Sequence, residues 1–130
     1  MEALYKASGI LIMTVKNDQV MVLLFKEKRQ KGTYWIDVGG RREVYDDSSW
    51  DTAKRELSEE LLNTVTVSPE EVIRQIWVPS AKYVLYLVYK DDVRTTENLV
   101  WIPLKELLKA PRSFRRTPLH ARLRYIIAAL

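Results

Sequence analysis

The chain has 130 residues, 47% hydrophobic and 29% charged, a composition typical of one soluble domain that buries its own core. It contains no cysteine, which excludes disulfides and thiolate metal sites, and its single histidine leaves oxygen as the main metal donor. A formal net charge of +4 favours anionic partners but does not distinguish phosphorylated small molecules from nucleic acid.

The N-terminal segment shows no signal-peptide pattern, because no charged stretch precedes an apolar one. The apolar run over residues 10–15 is far too short to cross a bilayer. We therefore expect a cytoplasmic protein without membrane contacts, organised as a single domain over residues 1–130.

Two apolar segments rich in β-branched residues begin the predicted fold. Residues 9–15 and 19–25 flank Asn17 and Asp18, an arrangement that predicts a β-hairpin. Residues 33–38 predict the next strand.

A polar and mostly basic connection, residues 26–32, joins this hairpin to that strand. It has two interpretations, a solvated loop or a phosphate clamp. The clamp gains support from Arg41 and Arg42, which follow closely in the sequence. Lys26 and Lys28 would then contact a substrate.

Three glutamates lie on one face of a predicted helix. Gly39 and Gly40 predict a turn, since glycine tolerates positive φ and lets a ligand approach the backbone. Residues 46–49, Ser48 included, supply potential N-caps, and Ala53, Leu57 and Leu61 recur every four residues along an apolar face, so we expect a helix over residues 48–62. Glu56, Glu59 and Glu60 are spaced by three and four residues and repel one another unless a cation intervenes. Hard ions such as Mg²⁺ or Mn²⁺ suit these oxygen donors.

The sequence of the second half of the chain predicts further strands and two late helices, which indicates an α/β architecture with helices covering a mixed sheet. The predicted strands cover residues 72–78, 82–89 and 99–102. A helix over 103–109 follows, and then a terminal helix capped by Thr117 with Pro118 in its first turn.

His120 has no acid or nucleophile near it in sequence, and we interpret it as a surface or half-buried residue. A second basic cluster comprises Arg112, Arg115, Arg116, Arg122 and Arg124.

The glycine pair, Glu43 and the run Arg55-Glu56-Leu57-Ser58-Glu59-Glu60 resemble the signature of the Nudix hydrolase family. The resemblance implies a Nudix-like α/β/α sandwich, a mixed β-sheet flanked by helices, over nearly the full chain. The pattern departs from the family in two places. A one-residue insertion within residues 44–51 leaves Asp46 or Asp47 where the family has a glutamate, and Leu62 replaces the usual glycine.

The resemblance also implies a reaction, hydrolysis of a pyrophosphate linkage with Mg²⁺ or Mn²⁺ as cofactor. It assigns the roles by position. The implied catalytic residues are Arg55, Glu56, Glu59 and Glu60, and the implied metal ligands are the Gly39 carbonyl, Glu56, Glu59, Glu60 and, from a later loop, Glu97. Glu56 would bind metal or help to activate water, and Arg55 would orient a glutamate.

The implied substrate is a phosphorylated small molecule, a nucleoside diphosphate derivative. Lys26, Lys28, Arg41, Arg42 and Tyr83 are the candidate contacts. Alternatives are a binding or regulatory module, or an enzyme for capped RNA, dinucleoside polyphosphates or inositol pyrophosphates. The modest charge excess makes nucleic acid a less favoured partner. Base preference and oligomeric state stay open, a homodimer included.

Overall fold

A computed structural model describes residues 2–91 and 93–130, so Asp92, half of an Asp91-Asp92 turn signal, lies outside the described residues. The strands are β1 Ala7–Lys16, β2 Gln19–Arg29, β3 Gly32–Ile36, β4 Val38–Arg41, β5 Val72–Val78, β6 Tyr83–Tyr89, β7 Leu99–Pro103, β8 Ser113–Phe114 and β9 Thr117–Pro118. The helices are α1 Ser49–Glu60, α2 Leu104–Lys109 and α3 Ala121–Ala129.

Seven strands form one mixed sheet, with β3, β2, β1, β6 and β5 as neighbours in that order. The pair β1–β6 is parallel, and the remaining pairs of this sheet are antiparallel. Strand β1 pairs with β4 over its first half and with β2 over its second half. Strand β2 also pairs with β7, and β8 and β9 form a separate two-stranded ribbon.

Helices cover both faces of the sheet, as the predicted α/β/α sandwich requires. One core cluster joins α1 to the sheet through Ala53, Leu57 and Leu61. The other joins α2 and α3 to the opposite face through Leu107 and Leu123, among others. Strand β6 is buried on both faces, which explains its unbroken apolar sequence. The described part of the chain contains no helix long and apolar enough to span a bilayer.

The first hairpin confirms its prediction but is longer than the apolar pattern indicates. Asn17 and Asp18 form its turn with φ of 50° and 62°, the left-handed backbone that asparagine and aspartate tolerate. Strand β2 runs on through Lys26 and Lys28, so most of the expected basic connection is strand. The turn to β3 is short and ends at Gly32, whose φ is 136°.

Asp37 splits the strand predicted over residues 33–38. Asp37 is 2% exposed, and its carboxylate accepts hydrogen bonds from the Tyr83 hydroxyl and from Arg122 Nε, the latter at 3.1 Å. Tyr83 is itself 0% exposed, with the Arg122 guanidinium 4.0 Å from its ring centre. The prediction that Tyr83 contacts a substrate is therefore wrong, because its ring and hydroxyl are enclosed by the core.

The terminal helix begins later than predicted. Thr117 and Pro118 form strand β9 rather than a cap and first turn, since Arg115 and Arg116 turn the chain with positive φ and pair it with β8. His120 caps α3 instead, and its Nδ1 accepts a hydrogen bond from the Arg122 backbone N–H at 3.1 Å.

Candidate active site

Helix α1 is fixed at its N-terminus by several polar contacts to the rest of the fold. Ser48 caps it by accepting the Asp51 backbone N–H at 3.1 Å, as the sequence predicts. The Glu2 carboxylate accepts the Ser49 backbone N–H at 3.0 Å, and the Ser49 hydroxyl lies 2.7 Å from the Tyr86 hydroxyl. These contacts hold the helix, and with it the glutamates of its last turns, at a defined position on the sheet.

Arg55 lies at the centre of a fan of five hydrogen bonds. Its Nε and Nη2 donate to the two Asp46 oxygens at 3.2 and 2.9 Å. Its Nη1 donates to Glu56 Oε1 at 3.1 Å and Glu59 Oε1 at 3.2 Å, and Nη2 also donates to the Arg41 carbonyl at 2.9 Å. A planar guanidinium suits such divergent recognition. The prediction that Arg55 pairs with a glutamate agrees with this geometry, which adds an aspartate anchor.

The structure distinguishes Asp46 from Asp47. Asp46 is 6% exposed, and its Oδ2 also accepts the Thr52 hydroxyl and the Glu43 backbone N–H, both at 2.8 Å. The hydrogen bonds from Arg55, outweighing burial, hold the pKa of Asp46 well below its usual range. Asp47 is exposed. Both Asp46 oxygens therefore accept hydrogen bonds from within the protein, and Asp46 holds Arg55 in position.

Gly39 and Gly40 lie in strand β4 and not in a turn, and neither has a positive φ. The predicted turn with positive φ is therefore wrong, and close packing explains the glycines in β4 instead. A Cβ on Gly40 would overlap the Glu56 carboxylate, and a Cβ on Gly39 would lie 2.8 Å from the Ser8 carbonyl oxygen. Gly40 allows Glu56 to rest against the strand backbone.

For two of the three glutamates, the surroundings disfavour the ionised carboxylate. Burial raises the pKa of Glu56, opposed by Arg55 and reinforced by Glu59. Burial also raises the pKa of Glu60, reinforced by Glu27 and then by Glu56 and Glu59. A bound cation would relieve this repulsion, and an all-carboxylate donor set suits Mg²⁺ or Mn²⁺. The residues present therefore fit such an ion, although Glu56 and Glu59 are turned toward Arg55 and the described residues form no ready three-ligand cluster.

Glu27 is a site residue that the sequence does not indicate, because the apolar pattern of β2 ends at Phe25. Alternation along the strand places Leu23 and Phe25 toward α1, and Glu27 and Arg29 continue on that face. Phe25 lines a recess together with Glu60. Glu27 therefore lies beside the end of the acidic helix, where it accepts a hydrogen bond from Arg29 Nε at 3.1 Å.

The predicted phosphate contacts do not form one clamp. Lys26 and Lys28 alternate with Glu27 and so project from the opposite face of β2, where Lys26 Nζ lies 5.7 Å from the centre of the Trp35 ring. Lys26 and Lys28 therefore do not face α1, and their role as substrate contacts stays a prediction. Arg42 stacks on Tyr5 at 4.5 Å, and both Arg41 and Arg42 are exposed.

The recess beside Glu60 also includes part of the loop before β7. Arg94 and Thr96 line it with Phe25 and Leu99. Glu97 is exposed on the same loop but does not line the recess. Its role as a metal ligand, like that of the Gly39 carbonyl, stays a prediction.

A basic cleft lies at the β3 edge of the sheet, and we use this name for the cavity of about 530 Å³ between the β2–β3 turn and the start of α3. It brings together residues from both basic clusters of the sequence. Sequence reasoning missed it because the two clusters are about 80 residues apart. Its lining includes Arg29, Lys31, Tyr34, Arg112, His120 and Arg124.

The fold is also found in other proteins. A Nudix hydrolase from M. smegmatis, RenU, aligns over 97% of this chain and 88% of its own, with 18% identity and a TM-score of 0.60. A C. elegans Ap4A hydrolase aligns over 97% and 98%, with 19% identity and a TM-score of 0.57. The NUDIX domain of Shewanella oneidensis NrtR, complexed with ADP ribose, aligns over 98% and 86%, with 19% identity and a TM-score of 0.58.

A search of curated proteins found no match. The family model of the NUDIX domain, in contrast, matches residues 5–123. That span contains the glutamates of α1, the Arg55–Asp46 anchor and the glycines of β4. The chain belongs to the Nudix family.

Proposed function

We propose that this chain is a Mg²⁺- or Mn²⁺-dependent hydrolase that cleaves a pyrophosphate linkage in a nucleoside diphosphate derivative. The observation that carries the proposal is the Arg55 fan, which joins a buried Asp46 to Glu56 and Glu59. A helix face with solvated glutamates needs no such anchor. Such a fan suits a site in which the carboxylates must be held within about 0.5 Å of their working positions.

Each residue of the site has a separate role in this proposal. Glu59 and Glu60 would hold the metal, and Glu56, resting against Gly40, would either share in binding it or accept a proton from the attacking water. When bound, the ion would neutralise charge on the phosphate oxygens and lower the pKa of bound water. Arg55 would keep Glu56 and Glu59 oriented without touching the substrate. Phosphoryl chemistry of this kind needs positioning and charge neutralisation more than covalent help.

The neighbours support a nucleotide-sized substrate. One is described as an Ap4A hydrolase and another as a NUDIX domain complexed with ADP ribose, and both names refer to phosphate-linked nucleosides. Their identity to this chain is below one residue in five, so they support a class of ligand and do not select one. Capped RNA and inositol pyrophosphates stay as alternatives.

A second candidate is a module that binds such a ligand without hydrolysing it. Two observations favour it: Glu56 and Glu59 are turned toward Arg55, and the neighbouring NrtR domain is described with a bound ligand. Measured turnover decides between the two candidates.

The test is a substrate panel with Mg²⁺ in water enriched in heavy oxygen, with products identified by mass spectrometry. Labelled phosphate product from wild type, and its loss in Glu59→Gln and Glu60→Gln, would support the hydrolase. Glu106→Gln in α2, on the opposite layer of the fold, is the matched control. Metal binding without turnover across the panel would favour the binding module.

A further inference from the structure

We propose that the basic cleft is an oligophosphate subsite, which holds phosphates beyond the cleaved linkage and so favours substrates with three or more phosphates. This inference deepens the proposed function and rests on it for the term substrate. The phosphate chain, not the base, would be the group recognised there.

The cleft is fixed by three hydrogen bonds to backbone carbonyls. The His120 backbone N–H donates to the Trp35 carbonyl at 3.0 Å, and the Leu119 N–H donates to the Arg112 carbonyl at 2.9 Å. Trp35 Nε1 donates to the Phe114 carbonyl at 3.0 Å. The two basic segments are therefore tied to one sheet edge, so their charges are brought together by the backbone despite their mutual repulsion.

The charges of the cleft are one-sided. Four cationic side chains line it, and no carboxylate is among the described lining residues. Arg29 has a partner in Glu27, whereas Lys31, Arg112 and Arg124 form no salt bridge within residues 2–91 and 93–130. Several cations converging on one concave surface attract an anion of multiple charge.

His120 adds a hydrogen-bond donor that has no acceptor in the part of the chain that the structure describes. Its Nδ1 accepts the Arg122 backbone N–H, so in the neutral ring the proton lies on Nε2. Burial, with Arg122 and Arg29 nearby, lowers the pKa of His120 and favours that neutral ring. Nε2 lies 3.5 Å from Arg29 Nη1, which also only donates. One anionic oxygen beside these two donors can accept a hydrogen bond from each of them.

The position of the cleft connects it to the proposed reaction. Arg29 lines the cleft, Glu27 lies two residues earlier on the same face of β2, and Phe25, two residues earlier again, lines the recess that contains Glu60. Two residues along a strand span about 7 Å. A phosphate chain that reacts beside Glu60 would reach the cleft after a few further atoms, whereas a diphosphate would end before it.

The test begins with inorganic tripolyphosphate and isothermal titration calorimetry in EDTA, without divalent metal. This binding readout does not depend on hydrolysis. We expect saturable binding that weakens as salt is added. Arg112→Gln and Arg124→Gln should each weaken it about tenfold, the loss of a charge-assisted hydrogen bond. His120→Asn keeps a good N-cap while removing Nε2, and should weaken binding severalfold.

Arg116→Gln is the matched control, since Arg116 is exposed in the nearby β8–β9 turn and does not line the cleft. Equal binding by all variants, or no binding by wild type, would overturn the proposal. Tighter binding of a short single-stranded RNA, weakened by the same variants, would replace an oligophosphate subsite with an RNA surface. Binding as expected in a protein that hydrolyses nothing in the panel would leave the subsite standing while the hydrolase proposal fails.

Discussion

The acidic end of α1 and the basic cleft differ in how their charges are balanced. Around α1, Arg55 is shared among three carboxylates, and Asp46 has a hydrogen-bond donor at each oxygen. In the cleft, Lys31, Arg112 and Arg124 have no carboxylate partner within the described residues. The first arrangement fixes geometry, and the second leaves charge available to a ligand.

This difference gives each region a distinct expected sensitivity. Where a buried charge has an internal partner, removing that partner costs stability, because the remaining charge stays desolvated. Where exposed charges lack a partner, removing one reduces like-charge repulsion and costs ligand binding only. Substitutions in each region therefore separate the two effects.

The largest expected effect is on turnover. Outer-shell partners of a metal ligand typically contribute 10–100-fold to activity, so replacing a ligand itself should cost at least about a hundredfold. Glu59→Gln and Glu60→Gln should therefore lose at least that in kcat, measured by phosphate release with Mg²⁺. Tripolyphosphate binding in EDTA should persist in both variants. Loss of anion binding along with turnover would mean that the two regions form one inseparable site.

Removing the anchor of the fan should cost stability. Asp46→Asn leaves Arg55, whose side chain is 19% exposed, without its main partner, and should lower the free energy of unfolding by about 3 kcal/mol. Because the folded-state pKa of Asp46 is depressed, its contribution is present above the unfolded value of about 3.9 and is lost as pH falls below it.

Urea titrations at pH 7 and pH 3 measure both effects of Asp46→Asn. The difference from wild type should be large at pH 7 and should shrink at pH 3. Asp47→Asn is the adjacent exposed control and should stay within about 0.5 kcal/mol of wild type. A pH-independent loss would show that Asp46 acts through packing and not through its charge.

Divalent metal should stabilise the acidic end selectively. At a hundredfold excess over Kd, a ligand that binds only the folded state adds about 2.7 kcal/mol, so Mg²⁺ should raise Tm and EDTA should reverse the rise. Glu60→Gln should reduce the increment, and Glu106→Gln should leave it unchanged. An identical Mg²⁺ response in Glu60→Gln would place the ion elsewhere.

The sequence was sufficient where local chemistry determines structure. Three such features were predicted from a few neighbouring residues and are observed: the Ser48 cap, the apolar face of Ala53, Leu57 and Leu61, and the Asn17-Asp18 turn. The arrangement of the glutamates on α1 follows from helical spacing alone. Family resemblance supplied the roles of those residues, which spacing does not contain.

What the sequence could not indicate depends on contacts between distant segments. Asp37 interrupts a strand because Tyr83 and Arg122 reach its carboxylate from 46 and 85 residues away. Thr117 and Pro118 have the residue types of a helix start, but they form the β8–β9 ribbon, and the helix is capped by His120 instead. The ribbon also places His120 in the cleft, although the residues near it in the sequence indicate no role for it.

The smallest predicted effect concerns the end of α1, immediately after the acidic residues. Leu62, where the family has glycine, has φ of 52° and is 81% exposed, and the Asn63 backbone N–H closes the helix on the Ser58 carbonyl at 2.9 Å. Leu62→Gly relieves the left-handed strain and should raise the free energy of unfolding by about 0.5–1 kcal/mol. Asn63→Gly, at φ of 60°, should gain less because asparagine already tolerates that backbone. Thermal unfolding measures both. If Leu62→Gly gains stability without a change in kcat, the Arg55 fan alone suffices to hold the glutamates; if kcat also changes, the strained helix end takes part in placing Glu59 and Glu60.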